Sequence, residues 1–232
     1  MLEVRRADER GRSELDWLSS AHTFSFAEYH DPKHMGFRSL RVINDDHDAA
    51  GTGFGKHPHR DMEILTWVLA GALRHEDSLG TGSVIRPGDI QRMTAGTGVI
   101  HSEWNASTTD PVHLLQIWIL PDQRNLPPSY EERRFEVADR HNRLRLVASK
   151  DAREGSVRIH QDASLYVGSL DGGVTVSHEL RPGTGAWLQI ARGRVRVGNV
   201  TLAAGDAAAT DDDTKLSIEA LEPSEVLLFE LA

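Results

Sequence analysis

The apolar residues of this chain come in short runs, and that brevity limits the fold more than any other feature. The clearest runs are Arg38 to Ile43, Glu63 to Leu69, His113 to Leu120, Trp187 to Ala191, Arg194 to Val197 and Glu225 to Leu231. Turn signals such as Ala70-Gly71, Pro87-Gly88-Asp89 and Ala204-Gly205-Asp206 cut them off, and Val, Ile, Leu and Trp fill them. Segments this short suit strands and are too short for most helices. Many short strands at regular spacing predict an all-β chain of sandwiches or barrels. Helix is expected only in short pieces, with Pro127 to Asp139 and Arg10 to Leu18 as the best candidates.

The chain also repeats itself. Arg86-Pro87-Gly88-Asp89 is echoed by Ala203-Ala204-Gly205-Asp206, and Val112-His113-Leu114-Leu115-Gln116-Ile117 by Glu225-Val226-Leu227-Leu228-Phe229-Glu230. With 232 residues, two domains of about a hundred residues each can bury separate cores. The expected division is residues 1–132 and 133–232, with the link between 121 and 142, where Pro, Asn and charged residues replace the strand pattern. Sliding one copy onto the other by the Gly-Asp turn sets His101 near Ile218 and Glu103 near Ala220. The second copy therefore keeps the strands without the chemistry.

That chemistry lies in two pairs, His57-Pro58-His59 and His101-Ser102-Glu103. Along a strand, residues two apart point to the same face, so each pair aims both of its donors into one space. Together they offer three imidazoles and one carboxylate, a set suited to a divalent first-row transition metal, with no thiolate present. Twelve histidines make a single His-x-His ordinary, but two pairs in matching contexts point to a metal. The isolated His160 and His178 read as surface or hydrogen-bonded residues. His22, His30 and His34 read as partners of loop backbone, Trp67, Trp118 and Trp187 as core, and His113 as structural.

Composition excludes other classes. A formal charge of -9 argues against direct nucleic-acid binding, which needs clustered Lys and Arg. Without cysteine there are no disulfides, iron–sulfur ligands or thiol catalysis. The N-terminus has no apolar leader, and no run approaches the roughly eighteen residues of a spanning helix, so a cytoplasmic protein without membrane contact is expected.

Gly51, His57, His59 and Glu63 match the spacing of the first cupin signature, and Gly98, His101 and Asn105 that of the second. Around them stand His22-Thr23-Phe24-Ser25-Phe26, Leu40-Arg41-Val42-Ile43-Asn44-Asp45-Asp46, His57-Pro58-His59-Arg60-Asp61-Met62-Glu63 and Met93-Thr94-Ala95-Gly96-Thr97-Gly98-Val99-Ile100-His101-Ser102-Glu103. In these the chain resembles the pirin family, in particular its bacterial quercetin 2,3-dioxygenase-type members, essentially from end to end. The resemblance implies a bicupin: two tandem jelly-roll β-barrels with little helix, metal in the N-terminal one and none in the C-terminal one. Generic cupins take Glu63 as the carboxylate ligand and pirins take Glu103. The pleat sets Glu103 directly beside His101, so the expected metal ligands are His57, His59, His101 and Glu103. Glu63 is then expected to sit at the core edge or to orient an imidazole. The occupant is one divalent transition cation, with iron(II) first and manganese, cobalt, nickel, copper or zinc as alternatives, and no organic cofactor. The implied reaction is dioxygen-dependent opening of a flavonol such as quercetin with loss of carbon monoxide, with Glu103 also the catalytic base. The alternative implied by the eukaryotic pirins is a non-enzymatic, metal-dependent regulatory module with a protein partner.

Overall fold

Two compact units make up the computed structural model, which describes residues 2–232. One unit holds Gly11–Arg134 with Val157–Gln161, and the other holds the N-terminal residues up to Arg10, Phe135–Ser156 and Asp162–Ala232. The N-terminal segment thus belongs with the C-terminal half, where chain order alone had assigned it to the first.

In the first unit the larger sheet runs, in spatial order, Ser129–Arg134, Asp89–Thr94, Glu63–Ala70, Val112–Ile119, Leu40–Asp48, Leu18–His22 and Gly11–Glu14. A smaller sheet runs Gly53–His59, Val99–Asn105, Leu73–Asp77 and Gly82–Ile85. The strand neighbours pair antiparallel. Val68, Val112 and Leu114 of the larger sheet pack on Leu73 and Ile85 of the smaller. This double-sheet, jelly-roll layering lets alternate residues of each strand face inward.

The second unit repeats this order, without a counterpart of Gly11–Glu14. Its larger sheet contains Glu3–Arg5, Ala207–Thr210, Gly185–Arg192, Ser224–Leu231, Ala163–Leu170 and Arg145–Ser149. Its smaller sheet contains Thr175–Glu179, Lys215–Ala220, Arg194–Val197 and Val200–Ala203. Leu188 and Ile190 of one sheet pack with Val195 and Ile218 of the other. Glu3–Arg5 takes the edge position that Ser129–Arg134 holds in the first unit. The aspartate of the repeated turn fastens each edge strand: Arg134 Nη1 donates to Asp89 Oδ1 at 3.1 Å and Arg6 Nη1 to Asp206 Oδ2 at 2.8 Å.

The all-β expectation holds, but neither helix candidate forms as read. Arg10 to Leu18 is a strand, Gly11–Glu14, turning through a backbone pair between Leu15 and Leu18 into Leu18–His22. Most of Pro127 to Asp139 is the strand Ser129–Arg134, with one helical turn, Val137–Arg140, after it. In both places an adjacent strand offers a full ladder of partners, and that outweighs the weak local preference for helix. Among the described residues no helix is long and apolar enough to cross a membrane.

Candidate metal centre

The smaller sheet of the first unit sets the two sequence pairs on neighbouring strands, gathering His57, His59 and His101 into one group and Glu103 into another with His101 and His75. Gly53–His59 and Val99–Asn105 are antiparallel neighbours, with His101 directly opposite His57 and Val99 opposite His59. Their register slips between His101 and Glu103, so that Glu103 comes to face Phe54. Gly53 permits this approach: its φ is +159°, and a Cβ there would collide with the backbone oxygen of Glu103 and the Cα of Trp104.

Ring nitrogens of His57, His59 and His101 lie within 4.8 Å of one another. His57 Nδ1 donates to the Gly55 carbonyl at 2.8 Å, which turns its Nε2 toward the other imidazoles. That atom stands 2.9 Å from His101 Nε2. Burial, reinforced by the neighbouring imidazoles, lowers His59 to about 4 and His101 to about 3. Both are therefore neutral near pH 7, the state in which imidazole binds metal.

The carboxylate is equally prepared. Glu103 is 4% exposed, and Gln116 Nε2 donates to its Oε2 at 2.8 Å. Thr66 Oγ1, donating to Gln116 Oε1 at 2.9 Å, fixes which way that amide faces. Glu103 Oε1 is buried with no hydrogen-bond partner, as is His101 Nδ1. A buried carboxylate oxygen without a donor is costly unless a cation or substrate meets it. The donor set fits a transition cation. His75 also offers a nitrogen within 4.8 Å of His101 and Glu103, but both of its nitrogens are in use. Gln91 Nε2 donates to its Nδ1 at 3.1 Å, and its Nε2 donates to Asp77 at 3.2 Å.

Glu63 does not reach this cluster. Asp61, at φ 48°, turns the chain out of the smaller sheet, and Glu63 opens a strand of the larger one. There it is fully buried, accepting from Thr94 Oγ1 at 3.1 Å and from the His160 backbone N–H at 3.2 Å. The His160 ring lies 3.4 Å from its other oxygen. The imidazole beside Glu63 is therefore His160, none of the three clustered ones.

A cavity of about 400 Å³ opens beside the cluster, lined in part by His57, His59 and Glu103. Phe26, Phe54 and Trp118 give it aromatic walls, and Ser20, Asn44 and Asp46 a polar side. Trp118, expected in the core, lines this space with its ring edge-on to His59 at 5.0 Å. His22 also lines it, its Nδ1 donating to Asn44 Oδ1 at 2.8 Å. Burial pushes Asp46 up to about 8, against the hydrogen bond from Ser20 and helped by the charge of Asp48. Sequence reading missed this polar side because it comes from two separate strands. The i, i+2 alternation of Asn44 and Asp46 was its one visible signal.

In the second unit, Ile218 faces Val176 and Leu216 faces His178. His178 thus holds the register position of His59, while Val176 and Ile218 hold those of His57 and His101. A lone imidazole remains, its Nε2 donating to Glu230 at 2.7 Å.

Comparison with known proteins agrees with this layout. Residues 3–119 match the family described as Pirin, and residues 146–231 the quercetinase C-terminal cupin domain. The chain is 47% identical to a protein of Escherichia coli K12 named quercetin 2,3-dioxygenase, across 100% of this chain and 99% of the relative. It is 42% identical to a putative quercetin 2,3-dioxygenase of Pseudomonas aeruginosa, across the full length of both. The crystal structure of an E. coli bacterial pirin in complex with nickel(II) superposes with a TM-score of 0.95 at 47% identity, covering 100% of this chain and 99% of that one.

Proposed function

We propose that this chain, which belongs to the pirin family, is a metal-dependent quercetin 2,3-dioxygenase working in the cavity of its first unit. One observation carries the reading: the bare oxygen of Glu103 belongs to a carboxylate that lines an aromatic-walled cavity together with His57 and His59. The cavity lies within the roughly 300–1,000 Å³ common for small-molecule sites. A divalent transition cation held by His57, His59, His101 and Glu103, with iron(II) first and the nickel(II) named for the E. coli pirin among the alternatives, would supply a Lewis acid and an electron path to dioxygen.

The chain's own residues do the rest. Phe26, Phe54 and Trp118 take the flat ring system of a flavonol and exclude water from it. Glu103 accepts the proton of the 3-hydroxyl and later returns it to the product. Gln116 keeps Glu103 Oε2 occupied, so that Oε1 is the atom that takes that proton. Asp46, kept neutral by burial, Ser20 and Asn44 provide hydrogen bonds for hydroxyls at the polar side. In the balanced reaction both dioxygen atoms enter the opened ester, and the ring carbon that bore the 3-hydroxyl leaves with that oxygen as carbon monoxide. A cytoplasmic location is part of this proposal.

The test is oxygen uptake. Holoprotein with quercetin in air should bleach the flavonol, consume about one dioxygen per turnover and release carbon monoxide, and His57→Ala should stop all three. A flavone lacking the 3-hydroxyl should be inert. Equal bleaching without oxygen, or no uptake with any of the six metals, would leave the metal-dependent regulatory module as the better reading.

A further inference from the structure

We propose a second divalent-cation site in the first unit, formed by Asp45, His47 and His113 on the face of the larger sheet opposite to Asn44 and Asp46. Nothing in the flavonol chemistry uses these residues, and they stand apart from His57, His59, His101 and Glu103.

Asp45 and His47 are two apart on the strand Leu40–Asp48, so they share a face. His113, on Val112–Ile119, lies directly opposite His47 in the ladder. Donor atoms of all three come within 4.8 Å of one another. His113 Nε2 donates to Asp45 Oδ1 at 2.7 Å, while His47 Nε2 stays 3.9 Å from the same oxygen. The two imidazoles stack, with ring centres 3.8 Å apart and planes 18° from parallel.

An ordinary ion pair explains Asp45 with His113 and leaves His47 unexplained. Its Nε2 is near the shared carboxylate but too far for a hydrogen bond, and its ring lies against a second imidazole. Burial, then the charge of His113, lowers His47 from its usual value, which keeps a lone pair available near neutral pH. One ion about 2.0–2.2 Å from each donor would draw the three groups together and displace the proton between His113 and Asp45.

Two imidazoles and a carboxylate select zinc, copper or nickel over calcium and magnesium. The side chains are 53% (His47), 20% (His113) and 18% (Asp45) exposed. The ion therefore enters from solvent, keeps water in its remaining positions and binds more weakly than one at the enclosed centre. Bound there, it would clip two adjacent strands of the larger sheet to each other.

The experiment is a calorimetric titration of zinc chloride into protein already loaded with one equivalent of nickel, with nickel content counted in parallel. A second event near one equivalent, with nickel retained, is expected. His47→Ala and His113→Gln should each weaken that event about tenfold or more and leave the nickel and oxygen uptake unchanged, and His47→Ala should also leave the melting temperature of the nickel-loaded protein unchanged. His47 is exposed enough that its replacement should not disturb folding. The proposal falls if no second event occurs, if zinc uptake is matched by nickel loss, or if both variants bind zinc as the parent does.

Discussion

Glu103 and Glu63 are both buried carboxyls in the first unit, and their surroundings give them different tasks. Glu103→Gln removes the one negative charge among the proposed ligands, so the purified protein should lose most of its metal by elemental analysis, and turnover with it. Glu63→Gln should keep the metal, because Glu63 contacts Thr94 and His160. Any loss should appear in thermal stability instead. Gln116→Leu leaves Glu103 Oε2 without its donor, and the expected cost is about 10–100-fold in activity or metal affinity, measured by oxygen uptake and metal titration. If Glu63→Gln emptied the site while Glu103→Gln did not, the generic cupin arrangement would replace the one drawn here. At this scale the sequence was informative where chemistry is written within one strand: His57 with His59 and His101 with Glu103 follow from alternation alone. It could not show that Asp61 turns the chain between sheets, which is why Glu63 kept an expected role near an imidazole without the right one being named. The partners Gln116 and Thr66 were hidden for a similar reason, since each stands on a different strand from the residue it orients.

At the level of the strand, the approach of Gly53–His59 to Val99–Asn105 rests on a missing side chain. Gly53→Ala forces a methyl group against the backbone at Glu103 and Trp104, and overpacking of this kind costs roughly 1–3 kcal/mol. Denaturant unfolding should show that loss together with reduced metal content. Gly55→Ala is the control, because nothing lies within 4 Å of its added methyl. In the second unit, burial alone would raise Glu230, but hydrogen bonds from His178 and Arg181 overcome it and lower the carboxyl from 4.5 to about 2. A carboxyl depressed on folding adds stability above its unfolded value and loses it as pH falls through the folded one. Melting temperatures should therefore decline between about pH 4.5 and 2, and Glu230→Gln should flatten that decline while lowering stability at neutral pH. Strand positions were legible because apolar runs and Gly-Asp turns mark them locally. Arg10 to Leu18 and Pro127 to Asp139 were not, because their conformation is decided by neighbours distant in sequence, His22 opposite Gly11 and Thr94 opposite Ser129.

Taken whole, the molecule is one architecture used twice, with the His57, His59 and His101 cluster in the first copy. The repeat was readable from its turns, and so was the loss of ligands, because Ile218 and Val176 cannot bind a cation. Metal that binds only the folded state stabilises it by mass action, about 2.7 kcal/mol at a hundredfold excess over the dissociation constant. Stripping the ion should lower the melting temperature of the unit containing His57, His59 and His101, and nothing at His178 should respond to added metal in a spectroscopic titration. An arrangement the repeat did not foretell is the placement of Glu3–Arg5 on the edge of the second copy, where Ala7 donates its backbone N–H to Asp206 across 199 positions. During synthesis on a ribosome, that segment has no strand partner until residues 207–209 have been made, so it waits unpaired while the first copy folds behind it. A chain truncated before Ala207 would therefore lack the strand on which Glu3–Arg5 pairs.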